Sequence, residues 1–211
     1  MPLKRYDHKS YDEYKNSNIE VNLRKINRSC LTHKLQDVVD YVKNKNLTIN
    51  EGICHGVRRG NEVEYFRSKF SANIIGTDIS HTVIQFKHCI EWDFHNIKDE
   101  WIDAFDFIYC NSLDHSHSPE YCIAQWIRCL TPSGLIIIEW SKGGGHLVGG
   151  GNAADCFGGT TEEMRETLDQ IGCLKEFVQP KSSYNFFVLH KIPIDIIQFT
   201  NRFPCTPPQS S

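Results

Sequence analysis

Two glycines, two aspartates and a pair of histidines are spaced in this chain as a nucleoside-handling site would need them. Gly56 and Gly60 bracket the loop Cys54-His55-Gly56-Val57-Arg58-Arg59-Gly60, which follows an apolar run and precedes an amphipathic one. Asp78 then closes a second apolar run, Ile-Ile-Gly-Thr-Asp. A strand, glycine loop, helix, strand and acid in this order place a nucleoside-bearing cofactor over the carboxyl ends of a doubly wound sheet. Glycines at 56 and 60 permit positive φ and close backbone approach, and the amides that open the following helix favour a carboxylate. Asp93-Phe94-His95 follows a third apolar run, and Asn111-Ser-Leu-Asp114-His115-Ser-His117 follows a fourth. A histidine, with an ordinary pKa of about 6.5, suits proton abstraction at neutral pH.

The elements that must hold these residues can be read from periodicity. Leu35, Val38, Val39 and Val42 fall at helical spacing, which predicts a helix over residues 33–44. Strands are predicted at 48–54, 73–78, 89–92, 105–110 and 135–140; the run at 105–110 is nearly all apolar, as in a parallel strand covered on both faces. Asn61 is the expected cap of the helix carrying Val63, Phe66 and Phe70, and Ser118-Pro119 opens the helix carrying Cys122, Ile123, Trp126, Ile127 and Leu130. Thr160 with Glu163 forms a capping box, and Gly172 is placed to stop that helix. The last two strands, 173–179 and 184–191, are joined by only Pro180, Lys181, Ser182 and Ser183, too few for a parallel crossover, so they must be antiparallel neighbours. The first 28 residues read as a polar N-terminal arm or docking helix with Tyr6, Tyr11 and Tyr14 among charges. Residues 29–199 read as one α/β/α domain and residues 200–211 as a disordered tail.

Composition narrows the function classes. A net charge of -3 over 211 residues gives no general pull toward nucleic acid or anionic lipid, so neither is expected as a partner. The chain shows no signal-peptide h-region and no apolar run of membrane-spanning length, and its nine scattered cysteines lack a Cys-x-x-Cys pair. Reduced thiols in a cytoplasmic protein are the expectation. His115 and His117 with His95 or His146 form a metal set only on paper: His-x-His supplies two ligands, and among ten histidines chance pairs are common, so no metal is expected.

The ordered motifs resemble the class I S-adenosylmethionine-dependent methyltransferases over about residues 33–191. That family opens on an acid, any residue, then Gly-x-Gly-x-Gly. Here the outer glycines remain, Cys54 replaces the acid and Arg58 the middle glycine, a variant followed by Glu62. The resemblance implies a Rossmann-like, mostly parallel sheet with a C-terminal antiparallel hairpin, and S-adenosylmethionine held by Gly56, Val57, Arg58, Gly60, Asp78, Ile79, Asp93, Phe94, Asn111 and Ser112. In it Asp78 takes the ribose hydroxyls with Ile79 on the adenine, Asp93 takes the adenine amine with Phe94 along the ring, and Arg58 pairs with the methionine carboxylate. The backbone from Asn111 onward lies beside the methyl, and Thr131-Pro-Ser-Gly134 stands for the family's Leu-x-Pro-Gly-Gly turn. His115 is then the candidate base, with Asp114 orienting it or holding a substrate hydroxyl. The Gly-rich loop at 143–159, with His146 or Asp155 touching substrate, is a candidate lid. The expected reaction is O-methylation of a small molecule or sugar. The alternatives are a non-catalytic binding or scaffold protein, as Cys54 and Arg58 would suit, and an NAD or nucleotide-sugar enzyme, disfavoured by the terminal hairpin.

Overall fold

A computed structural model describes residues 4–5, 8–27, 32–141, 156–181 and 184–203. Along the described residues the strands are β1 (Lys4–Arg5), β2 (Glu51–His55), β3 (Asn73–Asp78), β4 (Cys89–Glu91), β5 (Phe105–Cys110), β6 (Leu130–Ser141), β7 (Phe157–Gly158), β8 (Leu174–Val178) and β9 (Tyr184–His190). The helices are α1 (Tyr11–Arg24), α2 (Thr32–Asn44), α3 (Asn61–Phe70), α4 (Pro119–Cys129), α5 (Thr161–Ile171) and α6 (Ile196–Arg202), the last running across position 200.

Seven strands make one sheet in the order β4-β3-β2-β5-β6-β9-β8. The first five are parallel, and β9 is antiparallel to both β6 and β8. Alternation along the strands divides the core into two layers. Ile53, Ile108, Ile136 and Ile138 face α4 and α5 through Ile123, Trp126, Met164 and Leu168. Cys54, Phe107, Tyr109 and Ile137 face α2 and α3 through Leu35, Val38, Val63 and Phe66. The result is the expected α/β/α sandwich with a C-terminal antiparallel pair. Because β2 has β3 on one side and β5 on the other, the chain switches direction at its carboxyl end, where a crevice opens.

Local signals behave as their chemistry requires, with two exceptions. The capping box at Thr160 and Glu163 is complete, and Gly172 ends α5 at φ 83°. Asn61, however, is the first residue of α3 and not its cap; Gly60 caps it at φ 67°, without a side-chain hydrogen bond. Thr131-Pro-Ser-Gly134 does not separate two elements either. It bulges within β6, between Leu130 opposite Phe105 and Leu135 opposite Phe107.

α1 belongs to neither layer. Ser10 caps it by accepting from the Glu13 amide, and it buries Tyr14, Asn18 and Val21. Its start is tethered by β1, which pairs antiparallel with β7 through Lys4 opposite Gly158 and Arg5 opposite Phe157.

Candidate active site

The crevice is shaped first by the loop after β2. Gly56 has φ 70°, and the Gly56 and Val57 amides both donate to the Thr77 carbonyl of β3, at 2.8 and 3.1 Å. A Cβ on Gly56 would lie 1.8 Å from Ser112 Oγ, so the backbone approaches the loop after β5 as closely as chemistry permits. Gly56→Ala is therefore expected to destabilise the fold by roughly 1–3 kcal/mol through strain and overlap, read as a lower thermal midpoint. Arg58 adopts φ 46°, a left-handed conformation that favours glycine.

This turn delivers backbone donors to Asp78. Asp78 Oδ2 accepts from the Arg58 amide at 2.9 Å, and Oδ1 accepts from the Ser80 amide at 2.8 Å and from Asn22 Nδ2 of α1 at 2.7 Å. Burial raises the carboxyl above its ordinary pKa, while the Ser80 and Arg58 amides and the guanidinium pull it back. Arg58 Nε donates to Asn22 Oδ1 at 3.2 Å, which ties the loop and α1 together. Glu62, in the first turn of α3, is buried, and burial pushes its pKa up to about 8.

Asp93 sits beyond β4. Its Oδ1 accepts from the His95 amide at 3.0 Å and lies 2.6 Å from His95 Nδ1, and its Oδ2 accepts from Tyr11 Oη at 2.6 Å. Burial alone would raise its pKa, but hydrogen bonds to His95 and Tyr11 outweigh that and hold it well below the usual carboxylate range. Behind it, the Phe94 carbonyl accepts from Trp126 Nε1 at 2.9 Å. His55 packs parallel to Trp126 with ring centroids 4.6 Å apart and bonds Thr77 Oγ1 at 2.8 Å; burial pushes its pKa down to about 3.

These groups converge on one open pocket beyond the carboxyl ends of the strands. Gly56, Arg58, Asp78, Ile79, Asp93, Phe94, Ser112 and His115 line it together with Tyr14, Asn18, Val21 and Asn22. Of the residues expected to bind the donor or carry the reaction, four fall outside this lining. Val57 is buried in the α2–α3 layer, and Gly60 is the α3 cap, where a Cβ would meet Cys89 Sγ at 2.5 Å. Asn111 is half-buried just past β5, and Asp114 is buried beneath the turn, its carbonyl accepting from the Cys156 amide at 2.7 Å. His146 and Asp155, with most of the Gly-rich loop, lie outside the described residues.

The arm or docking helix expected over the first 28 residues contributes a wall of this site, which its composition alone does not signal. Tyr11, Tyr14, Asn18 and Asn22 do fall at helical spacing, but on a polar face that a search for apolar periodicity passes over. Among the described residues no group of three or more His, Cys, Asp or Glu side chains is arranged to hold a metal ion. No helix among them is long and apolar enough to cross a membrane.

Comparison with known proteins decides the class. The sequence model of the methyltransferase domain family matches residues 53–138, the span from β2 to β6. Residues 53–138 are similar to that methyltransferase domain. The fold around them is that of the class I enzymes, whose methyl donor is S-adenosylmethionine. No curated protein matches the chain by sequence. Among solved structures, a Burkholderia thailandensis 1,6-didemethyltoxoflavin-N1-methyltransferase with bound 1,6-didemethyltoxoflavin and S-adenosylhomocysteine superposes with a TM-score of 0.63 at 15% identity, covering 90% of this chain and 95% of that one. Micromonospora echinaspora CalS10, an amino pentose methyltransferase with bound S-adenosylmethionine, gives 0.60 at 15% identity, covering 82% and 96%. Streptomyces venezuelae DesVI gives 0.60 at 13% identity, covering 84% and 98%.

Proposed function

We propose that this methyltransferase transfers the methyl group of S-adenosylmethionine to a hydroxyl of a small polar acceptor such as a sugar. The single observation that carries the reading is convergence: Asp78, Asp93 and His115 arrive from three different strand ends at one cavity with the Gly56 turn. In this reading Asp78 accepts from both ribose hydroxyls, and the adenine lies between Ile79 and Phe94 with its amine on Asp93. The methionine carboxylate meets the Gly56–Arg58 backbone and the Arg58 guanidinium, while Val57 and Gly60 set the shape of that turn. The sulfonium then points past Asn111 and Ser112 toward His115, which takes the acceptor proton as the carbon–oxygen bond forms and the carbon–sulfur bond breaks in line. Asp114 supports the turn that presents His115.

Amino-sugar and heterocycle methyltransferases among the structural neighbours, and the modest net charge of -3, favour a small acceptor over nucleic acid. The seven free cysteines among the described residues suit a reducing, cytoplasmic setting. Isothermal calorimetry with S-adenosylmethionine, S-adenosylhomocysteine and NAD tests the donor: the first two are expected to bind and NAD to be silent. Silence for all three would leave a fold without a donor site.

Tyr11 makes a second prediction. Its hydroxyl takes one of the two lone pairs of Asp93 Oδ2, and the adenine amine competes for that oxygen in this reading. Tyr11→Phe is expected to bind S-adenosylhomocysteine tighter by about fivefold, the worth of one ordinary hydrogen bond. Weaker binding in that variant would place the hydroxyl in the ligand-bound site instead.

A further inference from the structure

Asp93 does not stand alone at the tip of β4. Its Oδ1 is taken twice by His95, through the backbone amide and through Nδ1. A carboxylate offers only lone pairs, so Nδ1 carries a proton. The other ring nitrogen, Nε2, lies 2.8 Å from Ser116 Oγ, and that hydroxyl accepts from the Ser118 amide at 3.1 Å. The imidazole is thus pinned at both nitrogens, one on the loop after β4 and the other at the turn leading into α4.

Packing fixes the ring plane as well. His117 stacks on His95 with centroids 3.8 Å apart and planes 15° apart, and Tyr14 of α1 stands edge-on to both. Ser116 and His95 are buried at 0% and 4% exposure, and neither lines the cavity. Serine, histidine and aspartate in this order have the geometry of an acyl-transfer triad, but a sealed serine has no access to a substrate carbonyl. What the relay acts on is Asp93. With Oδ1 saturated from behind, Oδ2 is the acceptor left for the cavity, and it is the oxygen that Tyr11 holds.

We propose that His95, anchored by Ser116, is a positioning residue for adenine recognition: it fixes Asp93 so that Oδ2 faces the cavity and selects a nucleoside bearing an exocyclic amine. This rests on the reading above, in which the adenine amine donates to Asp93. In inosine that donor is replaced by a carbonyl oxygen, which would face the carboxylate lone pair to lone pair.

The test compares S-adenosylhomocysteine with S-inosylhomocysteine on the full chain by calorimetry. The wild type is expected to prefer the adenosyl ligand by roughly tenfold or more, as for a hydrogen bond to a charged group. His95→Phe should lower this preference to within about threefold by weakening only the adenosyl ligand. Ser116→Ala, a smaller lesion, should give an intermediate preference, and His95→Asn, which keeps an N–H near the Nδ1 position, should restore most of it. A purely structural role would weaken both ligands alike and leave their ratio unchanged, which would overturn the assignment. Full preference in His95→Phe and Ser116→Ala, with the preference lost in Asp93→Asn, would remove His95 and leave the Asp93 reading standing. Equal binding of both ligands by the wild type would remove both.

Discussion

Asp78→Asn is expected to weaken S-adenosylhomocysteine binding by roughly 30-fold or more, about 2 kcal/mol, while the chain still folds. The carboxylate is an acceptor on every side. Ser80 and Asn22 donate to one oxygen and Arg58 to the other. That leaves about one of its roughly four lone-pair sites open, so a second ribose hydroxyl would displace Asn22 in this reading. An amide must turn its own N–H groups toward one of these sets, so a donor meets a donor whichever way it flips. The same replacement disturbs the Gly56 turn through the Arg58 amide, so a lowered thermal midpoint is expected alongside the lost affinity. Affinity within about threefold of wild type would show that the ribose is held elsewhere.

His115→Ala is expected to lower turnover by about 100-fold or more, the usual contribution of a positioned general base, with donor affinity changed by less than about threefold. His115 lines the cavity with Ser112 and is near enough to Asp78 to stabilise its carboxylate, but the Arg58 and Ser80 amides hold Asp78 and the His95 amide holds Asp93. In the proposed reading, removing His115 takes away the base beside the transferred methyl and leaves those hydrogen bonds in place. The measurement is release of S-adenosylhomocysteine with polyhydroxylated acceptors, beside calorimetry of the donor. An unchanged rate would mean that proximity alone suffices and that the acceptor loses its proton to water.

The frame of this site was legible because its signals are local. The runs ending at Asp78 and Cys110 are flat and apolar, so the predicted strands 73–78 and 105–110 coincide with β3 and β5. The five-residue link between Val178 and Tyr184 forces β8 and β9 to be antiparallel whatever else the chain does. What stayed hidden depends on contacts between distant residues. Tyr11 reaches Asp93 across 82 positions and Asn22 reaches Asp78 across 56, and no window along the chain holds both partners. The same holds for His95 and Ser116, 21 positions apart, whose pairing needs the turn before α4 to fold beneath β4.

The start of α3 departs from its side-chain signal for a different reason. Asn61 has the side chain of a cap, but the tight turn from Gly56 needs a left-handed residue at 60. Glycine therefore takes that position and shifts the helix start by one. At 131–134 the proline and glycine did signal a break in regular pairing, and the break is absorbed as a bulge because Phe105 remains paired with Leu130.

Trp126 gives the molecule an optical reporter of its own. Its indole lies flat on His55 and edge-on to Phe94 at 5.8 Å, with its N–H committed to the Phe94 carbonyl. If a purine settles on Phe94 as proposed, it alters the surroundings of that fluorophore, and nucleoside occupancy is then expected to be readable from emission at tryptophan wavelengths without attaching a dye. Trp126→Phe would silence the response and separate it from the signal of the other three indoles.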